Sequence, residues 1–162
     1  MAEYREAGCR VIGVDPSPAM LAQARARLGD SADLRVIVDA RLPVDDASVD
    51  LVLVSLVLHS VPHSDAVGIL REAARVLVPG GRVLVVDFGT SGLRFPRGWM
   101  GRGIAVIAEL AAGPRHAANA LDYLRRGGLT PLVDEAGLVT QAIRPTAGGA
   151  ISIAVLVRSP AR

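Results

Sequence analysis

An alternation of two residue patterns constrains this chain most. Short β-branched runs near 10–14, 34–38, 50–57 and 82–88 are separated by longer alanine- and leucine-rich segments near 18–28 and 65–77. Short apolar runs read as strands, and strands separated by helices are joined in parallel through crossovers. This βαβ rhythm predicts an α/β fold with a mostly parallel sheet, right-handed crossovers and helices on both faces. The run Leu51-Val52-Leu53-Val54 reads as buried on both sides. Ser17 is the expected N-cap of the first segment, with Pro18 at its first helical position and Gly29 at its end. Pro79-Gly80-Gly81 reads as the stop after the helix near 65–77. After residue 89 the pattern changes. Glycines and prolines cluster over 89–103, helical segments follow near 104–112, 116–126 and 130–136, and two strands near 139–145 and 150–157 close the chain. Thr146-Ala147-Gly148-Gly149 joins those two as an antiparallel hairpin. No linker or repeat interrupts the pattern, so residues 1–162 read as one domain, with 89–130 as a lid or substrate-binding insertion.

Composition removes several function classes. The chain has 162 residues, 51% of them hydrophobic, which suits a sizeable core. Its longest apolar stretches are too short to span a bilayer, and Met1–Glu6 does not resemble a signal peptide, so a cytoplasmic protein is expected. Cys9 is the only cysteine, which leaves no intrachain disulfide; beside the first strand it reads as a small packing residue. All 18 basic residues are arginine. Mechanisms that need a phosphate-binding or Schiff-base lysine are therefore excluded. Aromatic residues make up 3% of the chain, too few for the stacking platforms of nucleic-acid binding, which is not expected. Segment 91–130 holds six arginines against two acids. It would face an anionic substrate or surface, or simply form a solvated helix face.

The polar residues at strand ends carry the chemistry. In open α/β sheets, ligands bind outside the carboxyl ends of the strands. Asp15 ends the first apolar run, where a carboxylate accepts hydrogen bonds from ribose hydroxyls; the alternative is a turn or capping aspartate. Asp39 ends the second run, and Ser55 to His59 end the third. Histidine is a residue type suited to moving protons near neutral pH, so His59 would serve as a general base, or hold a non-catalytic polar position. His63 and Asp65 follow, but Pro62 interrupts their helical spacing and no third ligand is evident, so no metal site is expected.

Together these residues resemble class I S-adenosylmethionine-dependent methyltransferases of the small-molecule, quinone-biosynthesis type. Four segments carry the resemblance: Val11-Ile12-Gly13-Val14-Asp15-Pro16-Ser17 with Met20-Leu21; Asp39-Ala40 followed by Leu42-Pro43 and Ser48-Val49-Asp50; Leu56-Val57-Leu58-His59-Ser60-Val61; and Leu77-Val78-Pro79-Gly80-Gly81-Arg82-Val83-Leu84. Each is weak alone; their order and spacing make the match. The resemblance implies a Rossmann-like sheet of strand order 3-2-1-4-5-7-6 and S-adenosyl-L-methionine as cofactor. It gives Asp15 the ribose hydroxyls, with Pro16 and Ser17 beside it. Met20 would pack on the adenine face or belong to the helix core. Asp39 would take the adenine amine, or be a turn residue, and the Ala40 backbone would meet the ring. Ser55 would line the cofactor site and His59 the transfer site. Asp39 stands one residue nearer to Leu42-Pro43 than is usual in that family.

The resemblance also implies a first strand and glycine-rich turn that residues 1–8 do not supply. The expected enzyme is therefore N-terminally incomplete and lacks its central strand, and the exposed sheet edge invites self-association. Its acceptor would be a small, lipophilic molecule. Two other readings stay open at this point. One is a non-catalytic methyltransferase-like interaction module; the other is a nicotinamide-dependent oxidoreductase, which also places an acid after its second strand.

Overall fold

The computed structural model describes residues 1–90, 92, 94–96, 99–101, 103, 111 and 113–159. It divides into two compact units, Met1–Asp45 and Asp46–Arg162.

The first unit is a βαβ element preceded by a short helix. Helix α1 (Ala2–Glu6) leads to strand β1 (Ile12–Asp15), helix α2 (Pro18–Leu28) and strand β2 (Asp33–Val36). β1 and β2 pair in parallel, with Ile12 opposite Asp33 and Asp15 opposite Val36. Helix α2 starts where its sequence predicts. Ser17 Oγ accepts from Met20 N at 3.4 Å, Pro18 opens the first turn, and Gly29 ends the helix at φ +82°. Leu21 and Ala32 are the buried hydrophobic residues of this unit. Cys9, expected to pack, is exposed instead. The loop it occupies follows α1 and has no core to enter.

The second unit holds strands β3 (Val49–Ser55), β4 (Leu77–Phe88), β5 (Leu138–Thr146) and β6 (Ile151–Arg158), in the spatial order β3-β4-β6-β5. β3 and β4 are parallel; β4–β6 and β5–β6 are antiparallel. With β1 and β2 taken as strands 2 and 3, the two sheets reproduce the 3-2 and 4-5-7-6 portions of the expected order. Helices α3 (His63–Val76), α4 (Pro114–Arg125) and α5 (Leu129–Glu135) complete the unit. A turn of 3-10 helix at Ala147–Gly149 closes the β5–β6 hairpin. The expected helix near 104–112 falls mostly on residues outside those described.

The core is built from alternate residues of the strands and one face of each helix. Val54, Val83, Val85, Ala154 and Leu156 pack with Ala66, Val67, Leu70 and Ala73 of α3, and with Tyr123, Leu129, Leu132 and Val133. Leu70, Leu77, Val83 and Leu156 have no accessible surface. The opposite side of the sheet is different. Leu51, Leu53 and Ile153 are 46%, 47% and 39% exposed. The expectation that Leu51–Val54 is buried on both faces is thus corrected: alternate residues of this strand face solvent, and only Val54 is buried.

A second correction concerns Pro79-Gly80-Gly81. Helix α3 ends at Val76, and these residues lie within β4. From Val49 to Leu51, β3 advances two residues while β4 advances five, Leu77 to Arg82. The extra length is absorbed as a bulge in which Gly80 adopts φ +84°, a conformation suited to glycine.

The two sheet faces predict different costs of truncation. Leu70→Ala should lower the unfolding free energy by about 3 kcal/mol, because it opens a cavity in the closed core. Leu53→Ala on the open face should cost less than about 1 kcal/mol. Urea denaturation of the two variants checks the difference; equal losses would show that the open face is packed in solution.

Candidate functional site

Asp15 and Asp39 lie at the carboxyl ends of adjacent parallel strands. The Asp15 backbone carbonyl accepts from Ile37 N at 3.1 Å, which extends the β1–β2 pairing to within two residues of Asp39. Asp15 Oδ1 accepts from Ser17 N at 2.7 Å, closing a tight turn into α2. Its Oδ2 has no protein hydrogen-bond partner among the described residues, and the side chain is partly exposed. Both readings of Asp15 thus coexist: one oxygen holds the turn while the other is open to a ligand donor. Pro16 is exposed and Ser17 half-buried beside it. Met20 is 52% exposed, which rules it out as helix core.

Asp39 and Ala40 form a two-residue turn with φ +54° and +57°. Val38 and Arg41 bridge across it, with Arg41 N donating to Val38 O at 3.2 Å. Non-glycine residues in this left-handed region carry a cost of about 1 kcal/mol or more each. The turn is braced by Arg35, whose guanidinium makes two 2.8 Å bonds to Asp33 and a 2.6 Å bond to the carbonyl of Pro43. The same guanidinium holds the Asp33 carboxyl below its ordinary pKa. A depression between α2 and β2, lined by Leu21, Arg25, Leu34 and Val36, contains neither Asp15 nor Asp39. The strand-end carboxylates thus lie outside this depression.

In the second unit the strand ends are organised around a residue that the sequence did not single out. Asp87, 1% exposed, is next to last in β4. Its Oδ1 lies 2.5 Å from His59 Nδ1 and accepts from Phe88 N at 2.7 Å, while its Oδ2 accepts from Leu58 N at 2.9 Å. His59 sits in the turn of 3-10 helix Leu58–Ser60 that follows β3. Its ring stacks on Phe88 at 3.8 Å between centroids and meets Tyr123 edge-on at 6.5 Å. His59 is 3% exposed. What this arrangement does chemically is tie the ends of two parallel strands together and fix the backbone between them. Ser55 stands exposed at the end of β3, and Leu56 follows at φ +55° with its N–H donating to Val86 O.

Helix α4 is keyed onto this cluster. Asn119 Nδ2 donates to Ser60 O at 2.8 Å, and Tyr123 Oη donates to Phe88 O at 3.4 Å. His63 pairs with Glu135 at 2.9 Å, and His116 is exposed on α4. Among the described residues no cluster of His, Cys, Asp or Glu could hold a metal ion. Asp87 could have been suspected from its pattern, an acid enclosed by Val85-Val86 and Phe88. Its partner 28 residues away could not.

Burial raises the Tyr123 phenol well above its ordinary pKa, and the nearby Asp87 carboxyl adds to the shift. The unfolded chain releases that proton near pH 10, while the folded chain keeps it. Stability is therefore full below about pH 10 and falls above it, by about 1.4 kcal/mol per pH unit from this group. Tyr123→Phe should remove that part of the slope. Denaturation of both proteins between pH 8 and 11 measures it; identical slopes would contradict the assignment.

Comparisons with known proteins bear on the family and the fold. The family described as "Methyltransferase domain" matches residues 1–85. The ubiquinone/menaquinone biosynthesis C-methyltransferase UbiE of Rubrivivax gelatinosus is 36% identical over 120 residues, covering 71% of this chain and 45% of that protein. The demethylmenaquinone methyltransferase of Beutenbergia cavernae is 32% identical over 162 positions, covering 94% of this chain and 66% of that one. The chain thus spans about half to two thirds of the length of these relatives. Among solved structures, the O-methyltransferase NcsB1 of neocarzinostatin biosynthesis, in complex with S-adenosylmethionine and a naphthoic acid, is 25% identical with a TM-score of 0.56, over 90% of this chain and 40% of that one. The strand order, the acid at the end of β1 and these matches lead to one conclusion: this chain belongs to the S-adenosylmethionine-dependent methyltransferase family.

Proposed function

We propose that this chain contributes to methyl transfer from S-adenosylmethionine to a small, lipophilic acceptor of the quinol or phenol type. The observation that carries this reading is the pair of carboxylates following β1 and β2, Asp15 with its Oδ2 open and Asp39 in a strained turn with Ala40. In this reading Asp15 accepts from the ribose hydroxyls, a charge-assisted contact that suits a carboxylate. Pro16 and Ser17 set the backbone there, Met20 covers the adenine face, Asp39 takes the exocyclic amine and the Ala40 backbone meets the ring. Ser55, exposed at the end of β3, remains the cofactor-lining candidate of the larger unit. The names of the quinone-pathway relatives support the acceptor class.

The cofactor's sulfonium supplies an activated leaving group, so alignment and exclusion of water provide most of the catalytic effect. Of the two roles the sequence leaves open for His59, general base or non-catalytic polar residue, we favour the second, positioning the β3–α3 loop, since its ring is enclosed by Asp87, Phe88 and Tyr123. Residues 89–130 serve as the lid or substrate-binding insertion, with α4 anchored at the strand ends by Asn119 and Tyr123. Self-association belongs to the same reading. β3 pairs only with β4 among the described residues, and its Leu51 and Leu53 are exposed. Sedimentation should therefore show a dimer that Leu53→Lys dissociates, because a charge disfavours edge pairing; a monomer at all concentrations would rule this out.

Calorimetric titration with S-adenosylhomocysteine tests the cofactor reading. Saturable binding is expected, and Asp15→Asn should weaken it about thirtyfold while keeping an acceptor for Ser17 N. Binding of a nicotinamide dinucleotide in its place would overturn the proposal. So would an unchanged affinity in the Asp15→Asn variant.

A further inference from the structure

Arg35 is the third residue of β2. Strand alternation places it with Asp33 on the side opposite Leu34 and Val36, which line the depression between α2 and β2. On its own side the guanidinium makes two kinds of bond at once. Its Nε and Nη2 donate to Oδ1 and Oδ2 of Asp33, each at 2.8 Å, and its Nη1 donates to the backbone carbonyl of Pro43 at 2.6 Å. Two parallel bonds to one carboxylate leave the remaining nitrogen aimed in a fixed direction. A lysine ammonium has no such fork. Pro43 lies eight residues beyond Arg35, so this bond closes the loop that leaves β2 and carries Asp39 and Ala40.

Simple stabilisation is a poor reason for this pair. The side chains of Asp33 and Arg35 are both 34% exposed, and ion pairs open to solvent contribute little to folding. Their mutual bond lowers the Asp33 pKa and raises that of Arg35, with Arg10 and Asp45 adding to the two shifts respectively, so the clamp stays ionised across the neutral range.

What the clamp holds is a turn that its own residues disfavour. Positive φ at both central positions of a two-residue hairpin suits Asn-Gly or Asp-Gly, yet the second position here is alanine. The loop is tethered at its start by Ile37 N donating to Asp15 O at 3.1 Å, and at its end by Arg35 on Pro43. Asp39 is exposed, and among the described residues no side chain holds its carboxylate. The direction of that carboxylate therefore follows the backbone of the turn.

We infer that Arg35 is a positioning residue for the base of the cofactor: its fork ties Asp33 to Pro43, which aims the Asp39 carboxylate and so favours adenine over a base that lacks the exocyclic amine. The inference rests on the reading of Asp39 given above and adds the residue that makes it selective.

Two ligands are compared on the full chain by calorimetry. One is S-adenosylhomocysteine, and the other is its analogue in which hydrogen replaces the adenine amine. The wild-type chain should bind the first at least about tenfold more tightly, as expected for a hydrogen bond to a charged group. In Arg35→Met and in Arg35→Lys that ratio should fall about fivefold, because neither side chain spans both partners. Arg35→Lys keeps the charge and so guards against loss of the fold. Asp15→Asn should weaken both ligands alike and keep the ratio. A purely structural loss lowers both affinities by one factor. An unchanged ratio in both Arg35 variants, or an equal loss of the two ligands, would therefore overturn the inference and leave the cofactor reading intact. A wild-type chain that binds both ligands equally, or neither, would overturn the Asp39 assignment and this inference with it.

Discussion

A buried carboxylate must have its hydrogen-bonding capacity met inside the protein, and Asp87 meets it with three donors drawn from two strand ends. His59, Leu58 and Phe88 all converge on it. Leaving such a group unpaired would cost about 3 kcal/mol or more, so the β3–α3 loop has little freedom. The stacking of His59 on Phe88 and the seating of α4 through Tyr123 and Asn119 follow from that fixed point. The upper end of the larger unit, where an α/β fold puts its ligands, is in effect organised by one side chain.

Strand ends in each unit hold backbone conformations that non-glycine residues avoid. Asp39, Ala40 and Leu56 all have positive φ. Each is held by a specific bond: Arg41 N to Val38 O across the first turn, and Leu56 N to Val86 O at the second. Strain of this kind persists when surrounding structure overdetermines it and is concentrated at ligand sites. In the smaller unit it falls at the turn that follows β2, two residues beyond the bond from Ile37 N to Asp15 O.

Much of this was readable from residue patterns. The caps of α2 at Ser17, Pro18 and Gly29 act through local geometry, and the structure keeps them. The parallel pairs and the final antiparallel hairpin are also legible from the βαβ rhythm, whereas the strand order is legible only through the family resemblance. The errors have physical causes. Pro79-Gly80-Gly81 has the composition of a helix stop, yet three extra residues can equally be absorbed by a bulge in a long strand. The apolar run of β3 specifies what its side chains prefer, not whether cover is present, and Leu51 and Leu53 remain open. Asp87 was missed because its meaning depends on His59, a contact that no local pattern encodes. For His59 the sequence leaves a general base or a non-catalytic polar position open, and its burial against Asp87 and Phe88 favours the second.

The central claim is that the ends of β1 and β2 form the ribose and adenine side of an S-adenosylmethionine site. Backbone amide NMR of the chain titrated with S-adenosylhomocysteine tests it most directly. The account predicts saturable shifts concentrated at Asp15–Met20 and Val38–Arg41. Shifts confined to other residues, with those two loops unmoved, would contradict it.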